Sequence, residues 1–165
     1  MDLMERARAV RLAIFDVDGV MTDGTLFFGA RGEAFKTFNT LDGHGLKMLR
    51  SAGVATAILS GRESEAVARR AAELSIEHVL QGEADKLAAF DRLIARLRVP
   101  DESCAFVGDD LPDLAVMRRC GFAVAVANAV EAVKSAAHYV TRATGGKGAV
   151  REFCDLVLQA RGSDA

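Results

Sequence analysis

Acidic residues in this chain collect behind apolar runs. Asp16 and Asp18 end the run at 10–17 (VRLAIFDV), and Asp109, Asp110 and Asp113 follow the run CAFV at 104–107. Ser60, Gly61 and Arg62 close another run at 53–59, and Lys86 opens a helical pattern after a weaker run at 77–80. Strand ends brought to one rim would gather carboxylates, a hydroxyl and two cations. Like charges raise one another's pKa, so carboxylates placed together need compensation. A hard divalent cation with oxygen ligands supplies it, and Mg²⁺ suits a phosphate partner. One aspartate can then attack phosphorus to give an aspartyl-phosphate. A carboxyl two residues further on can act as acid for the leaving oxygen and then as base for water. Lys86, Arg62 and Ser60 can hold the nonbridging oxygens, where phosphoryl transfer needs charge stabilisation.

Such a rim requires parallel strands. The runs at 10–17, 53–59, 77–80, 104–107 and 122–127 read as buried strands. Helical patterns at 43–52, 63–74, 84–97, 111–119, 129–136 and 147–160 lie between and after them. This alternation predicts right-handed crossovers and an α/β, Rossmann-like parallel sheet with helices on both faces. Residues 24–39 (GTLFFGARGEAFKTFN) break the pattern. Apolar and polar residues alternate there about a Gly-Ala-Arg-Gly centre, which predicts a β-hairpin inserted after the first strand. A hairpin in that position stands over the carboxyl ends of the strands, where ligands bind in open α/β sheets. No segment is left for a cap domain, so 1–165 reads as one domain closing with a tail and helix over about 143–165.

Composition narrows the function classes. A chain of 165 residues, 50% hydrophobic and 27% charged, suits a single globular domain. Its 21 Lys+Arg against 23 Asp+Glu leave a net charge of −2, which argues against nucleic-acid or membrane-surface binding through bulk positive charge. Nine Phe, one Tyr and no Trp offer no stacking platform for bases. No apolar run approaches the roughly 18 residues of a membrane span, and MDLMERARAV holds no secretory core, so a cytoplasmic location is expected. Cys104, Cys120 and Cys154 lack CxxC spacing and read as buried thiols. His44, His78 and His138 are too scattered for a histidine metal site.

FDVDGVMTDG at 15–24, SGR at 60–62, DK at 85–86 and GDDLPD at 108–113 resemble, in order and spacing, the four motifs of the haloacid dehalogenase (HAD) phosphatases. The lone hairpin resembles the capless branch of that superfamily. DGVMTDG, FNTLDGHGLKML, LSGRES and GGKGAVREFCDLVLQA narrow the resemblance to its 3-deoxy-D-manno-octulosonate 8-phosphate (Kdo-8-phosphate) phosphatases, over about Val10 to Ala160. The resemblance implies Asp16 as nucleophile and metal ligand. It implies Asp18 as general acid/base, substrate contact and Mg²⁺ ligand through its backbone carbonyl, and Asp109 as the remaining protein ligand of Mg²⁺. Ser60 and Lys86 would bind the phosphoryl group. Asn39, Thr40, Leu41, Asp42, Gly43, Lys47, Arg62 and Arg70 would bind substrate. It further implies lipopolysaccharide biosynthesis and a homotetramer whose hairpins form a central barrel. Leu26, Phe27, Phe28, Phe35 and Phe38 support assembly independently, because a lone hairpin would leave them as an apolar patch in water.

Several alternatives stay open on the residues alone. Asp110 and Asp113 also suit capping of a helix that starts near Leu111. Arg70 lies beside Arg69 on a pattern bearing Glu65 and Glu73, and so also suits surface pairing. GGKGAV at 145–150 is no Walker A loop. It reads as a flexible connector or, by resemblance, as a lid over a neighbour's site. The same chemistry would serve a nine-carbon acid sugar 9-phosphate. A response-regulator receiver would lack an acid/base at Asp18, and a non-catalytic oligomerisation domain would be expected to lose Asp16 or Asp18.

Overall fold

The computed structural model describes residues 1–162; positions 163–165 of the expected tail lie outside the described residues. In chain order the elements are α1 (Leu3–Ala9), β1 (Leu12–Phe15), β2 (Phe27–Gly29), β3 (Gly32–Phe35), α2 (Thr40–Ser51), β4 (Ala55–Leu59), α3 (Glu65–Glu73) and β5 (His78–Leu80). They continue with α4 (Lys86–Leu97), β6 (Cys104–Gly108), α5 (Leu114–Met117), β7 (Phe122–Ala125), α6 (Glu131–Ala136), β8 (Tyr139–Val140) and α7 (Ala149–Ala160). Six of the strands form one parallel sheet in the order β5-β4-β1-β6-β7-β8, as the alternation of runs required.

Strand β1 is buried throughout and lies mid-sheet, with Leu12 opposite Ala55 on β4 and Cys104 on β6. Chain order reverses across β1, which makes its carboxyl end a topological switch point. Right-handed crossovers put α2 and α3 on one face and α4, α5 and α6 on the other. Helix α7 lies against α1 and α2. Its Phe153 meets Phe15 edge-on at 5.5 Å and Phe122 at 6.0 Å, so aromatic rings close the core between helix and sheet. The three cysteines are all buried.

The hairpin forms as expected, with β2 and β3 antiparallel and Phe27 stacked on Phe35 at 4.3 Å. Elsewhere the structure corrects the sequence reading. Helix α1 has no apolar period to mark it in the sequence: Asp2 and Glu5 cap it reciprocally, and it buries only Ala7. Strand β8 is two residues long, too short for a periodic signal. The helix expected at 111–119 is a 3₁₀ turn at Leu111–Asp113 followed by the four residues of α5, with Pro112 inside the turn. No helix among the described residues is long and apolar enough to cross a membrane.

Candidate active site

Each functional side chain arrives from a strand end or a capped helix start. Asp16 follows β1, and its backbone N–H still donates to Val107 of β6 at 3.1 Å. Ser60 follows β4 and stays fixed by backbone bonds to Leu80 and Glu83. Asp85 caps α4 by accepting from the Ala88 N–H at 3.0 Å, which sets Lys86 at the helix start. Asp16, Asp18, Gly24, Ser60, Gly61, Arg62, Glu83, Lys86, Asp109 and Asp110 line one cleft of about 400 Å³ over the switch point.

Lys86 is buried and spans two carboxylates, with Nζ 3.1 Å from Asp16 Oδ1 and 2.7 Å from Asp113 Oδ1. Burial works against its charge, but Asp16 and Asp113 outweigh that and hold its pKa above the ordinary lysine value. Asp113, wholly buried, spends its second oxygen on the N–H groups of Asp109 at 2.9 Å and Asp110 at 3.3 Å. Asp110 caps the 3₁₀ turn through the Leu111 N–H, one of the capping roles left open on the sequence.

Carboxylate oxygens of Asp16, Asp109 and Asp113 come within 4.8 Å of one another. Burial, then the Asp113 carboxylate, pushes Asp16 up to about 6. Burial, then Asp16 and Asp113, pushes Asp109 up to about 8. Asp109 Oδ1 is buried without a hydrogen-bond partner. Surplus negative charge and an orphaned oxygen in an all-oxygen donor set fit a hard divalent cation. Gly19 makes room for this arrangement: a Cβ there would lie 1.9 Å from Asp109 Oδ2, and its φ of +86° suits glycine.

Asp18 faces the hairpin. Its Oδ1 accepts from Lys36 Nζ at 2.6 Å, and Arg62 Nε lies 3.6 Å from Oδ2. Glu33 joins both cations, at 2.9 Å from Lys36 and 3.5 Å from Arg62. Lys36 and Glu33 escaped the sequence reading. Their place in the alternating GEAFK segment gave only a hairpin signal.

The other expected substrate residues do not line this cleft. Asn39 caps α2 through the N–H groups of Leu41 and Asp42. Asp42 is buried, accepts from the Arg151 N–H at 3.0 Å, and leaves Oδ2 unpartnered. Arg70 donates to Glu73 at 2.9 Å, the pairing the sequence left open, and also to the Asn39 carbonyl at 3.5 Å from a largely buried side chain. Its guanidinium crowds Gly43, where a Cβ would sit 2.4 Å from Nη2. Thr40, Leu41 and Lys47 are exposed. Gly145 and Gly146 pack on the chain's own Asp16–Asp23 loop: Gly146 N–H donates to Val20 at 3.1 Å, and Asn128 bridges Gly145 to Gly19.

A parallel sheet with acids, Lys and Ser at its switch point is the architecture of an aspartate-based phosphoryl hydrolase. Residues 75–153 match the profile of haloacid dehalogenase-like hydrolases. Over 160 residues the chain is 47% identical to the 3-deoxy-D-manno-octulosonate 8-phosphate phosphatase of Yersinia pestis, covering 97% of this chain and 86% of that protein. A probable phosphatase from Pseudomonas syringae superposes with a TM-score of 0.96 at 57% identity, over 98% of this chain and 92% of that one. The Moraxella catarrhalis 3-deoxy-D-manno-octulosonate 8-phosphate phosphatase, solved with magnesium, phosphate and KDO, gives a TM-score of 0.94 at 42% identity, over 96% and 91%. The chain belongs to the haloacid dehalogenase-like hydrolases, and within them to the family of 3-deoxy-D-manno-octulosonate 8-phosphate phosphatases.

Proposed function

We propose that the chain hydrolyses Kdo-8-phosphate to Kdo and inorganic phosphate, as a cytoplasmic step of lipopolysaccharide synthesis. The observation that carries the chemistry is the cleft that joins Asp16, Asp18, Ser60, Lys86 and Asp109. Asp16 attacks phosphorus and becomes the aspartyl-phosphate, while Asp18 gives a proton to the departing sugar oxygen. Asp18 then takes a proton from the water that cleaves the acyl phosphate, and Asp16 is regenerated. Lys86 and Ser60 hold nonbridging oxygens, with Arg62 at the cleft mouth. Asp16, Asp109 and the Asp18 backbone carbonyl would hold Mg²⁺, which when bound supplies charge neutralisation to the phosphoryl oxygens.

Asn39, Thr40, Leu41, Asp42, Gly43, Lys47 and Arg70 lie outside the cleft of their own chain, so we assign them to sugar recognition in an assembled homotetramer. Exposed Leu26, Phe28 and Phe35 on the hairpin support that assembly. A carboxylated, hydroxyl-rich sugar needs such polar groups, since a site built for them rejects esters that leave them unpaired. Phosphate release from Kdo-8-phosphate, with Mg²⁺ and with EDTA, tests the reading beside a nine-carbon acid sugar 9-phosphate and an aryl phosphate. EDTA-sensitive preference for Kdo-8-phosphate is expected. Preference for the nine-carbon ester would keep the mechanism and overturn the substrate.

A further inference from the structure

Lys36 occupies an unusual place for a lysine on a hairpin. Leu26, Phe28 and Phe35 of the same insertion are exposed, yet the Lys36 side chain is only 3% exposed. It is buried between Asp18 at 2.6 Å and Glu33 at 2.9 Å. Glu33 is itself fixed, because Ser64 Oγ donates to its Oε1 at 2.5 Å. Arg62, more exposed, closes a ring of two carboxyl and two basic side chains, with the 3.6 Å contact to Asp18 and the 3.5 Å contact to Glu33. Three separate segments therefore meet at the Asp18 carboxyl group: the loop after β1, the hairpin, and the loop between β4 and α3.

We infer that Lys36 is the positioning residue of Asp18. From the hairpin it holds Oδ1, so that Oδ2, which has only the looser Arg62 contact, is the oxygen that trades protons with the reacting groups. In the first half-reaction the Asp16–phosphorus bond forms and the sugar oxygen–phosphorus bond breaks, with the Asp18 proton passing to the departing oxygen. In the second, water oxygen bonds to phosphorus, the Asp16–phosphorus bond breaks, and the water proton passes to Asp18. Lys36 touches no reacting atom and acts through the orientation of Asp18. A misplacement of about 1 Å at a catalytic group can cost about a hundredfold in rate, so a buried ammonium is an effective anchor. The inference rests on Asp18 as acid/base.

An alkoxide leaves a sugar phosphate poorly and needs the proton, whereas p-nitrophenolate departs without one. The test is kcat/KM on Kdo-8-phosphate and on p-nitrophenyl phosphate for Lys36→Met, Lys36→Arg and Asp18→Asn. A Glu33→Gln, Lys36→Gln double variant, which leaves no unpaired glutamate, replaces Lys36→Met if that protein does not fold. Lys36→Met, or the double variant, should lose about tenfold or more on the sugar ester and less than about threefold on the aryl ester, with Lys36→Arg recovering most of the difference. Equal loss on both esters, or no loss, would overturn the inference. Asp18→Asn separates the two ideas. If it is selective while the Lys36 variants are not, only the role of Lys36 falls. If Asp18→Asn is itself unselective, the acid/base assignment falls and takes the inference with it.

Discussion

Lys86 reaches Asp16 and Asp113 at once, and that geometry divides the labour among three acids. Asp113 is fully committed, with one oxygen on Lys86 and the other on two backbone N–H groups. Asp109 is the reverse, with a buried oxygen that has no partner in the protein. Asp113→Ala would leave the buried Lys86 ammonium with Asp16 alone and strand two amides, so a stability loss of about 1–3 kcal/mol is expected in denaturant unfolding, together with loss of turnover. A variant with an unchanged midpoint would contradict the role given to Asp113. The four motifs were legible because each sits within a few residues of an apolar run that marks a strand end. Lys36 was not, because its meaning lies in a contact with Asp18 that joins a hairpin to a strand end through space. Asp42 shows the converse: it sits inside a recognisable stretch, yet its visible bond runs to the Arg151 N–H at the start of α7.

Among the elements, α7 and the segment before it connect furthest into the site. Glu152 accepts from the Tyr139 hydroxyl at 2.7 Å and from the Arg142 and Ala143 N–H groups at 2.9 Å each. Those bonds fix the chain just ahead of Gly145 and Gly146, which brace the loop that carries Asp18 and Gly19. Burial opposes the Glu152 charge, but the hydrogen bonds from Arg142, Tyr139 and Ala143 outweigh it and hold its pKa below the ordinary 4.5. The unfolded chain therefore takes up the proton first on acidification. Stability from Glu152 is full above about 4.5 and is lost as pH falls through the lower folded value. Glu152→Gln should be about 1–3 kcal/mol less stable than the parent at pH 7, with the gap closing below pH 4.5. Urea midpoints of both proteins across that range check it, and a gap that persists in acid would refute the charge as its cause. The glycines of 145–150 read as a connector because sequence shows their permissiveness and not the surface they meet within the chain. That surface is the chain's own Gly19 and Thr22, close enough that a Cβ at Gly145 would lie 1.8 Å from the Gly19 carbonyl oxygen. Pro112 lies in the first turn at 111–113, where a proline is tolerated, and β8 owes its existence to pairing with β7 more than to its own two residues.

At the scale of the whole molecule, the hairpin exposes Leu26, Phe28 and Phe35 beside a site whose expected sugar contacts lie elsewhere on the chain. Five of the six core strands were legible from alternating runs, because burial on both faces of a parallel sheet makes each strand an apolar block; β8 was not. The proposed assembly rests on the family resemblance and on the excess of apolar residues on a short insertion, since one chain does not reveal what covers it. Phe28→Glu with Phe35→Glu should yield a smaller species by sedimentation velocity, with the α/β circular dichroism intact and sugar phosphate turnover reduced more than aryl phosphate turnover. A tetramer that survives both charges would contradict hairpin-mediated assembly.

Phosphate passes from the sugar to water through Asp16 in the proposed mechanism. Acid quench of the Asp18→Asn protein with Mg²⁺ and p-nitrophenyl phosphate, whose leaving group departs without a proton, followed by peptide mass mapping, tests it most directly. A phosphoryl adduct is expected on the peptide carrying Asp16, absent from Asp16→Asn and from the EDTA-treated protein. Turnover by the parent enzyme with no adduct on that peptide in either the parent or Asp18→Asn, or an adduct that persists in Asp16→Asn, would contradict it.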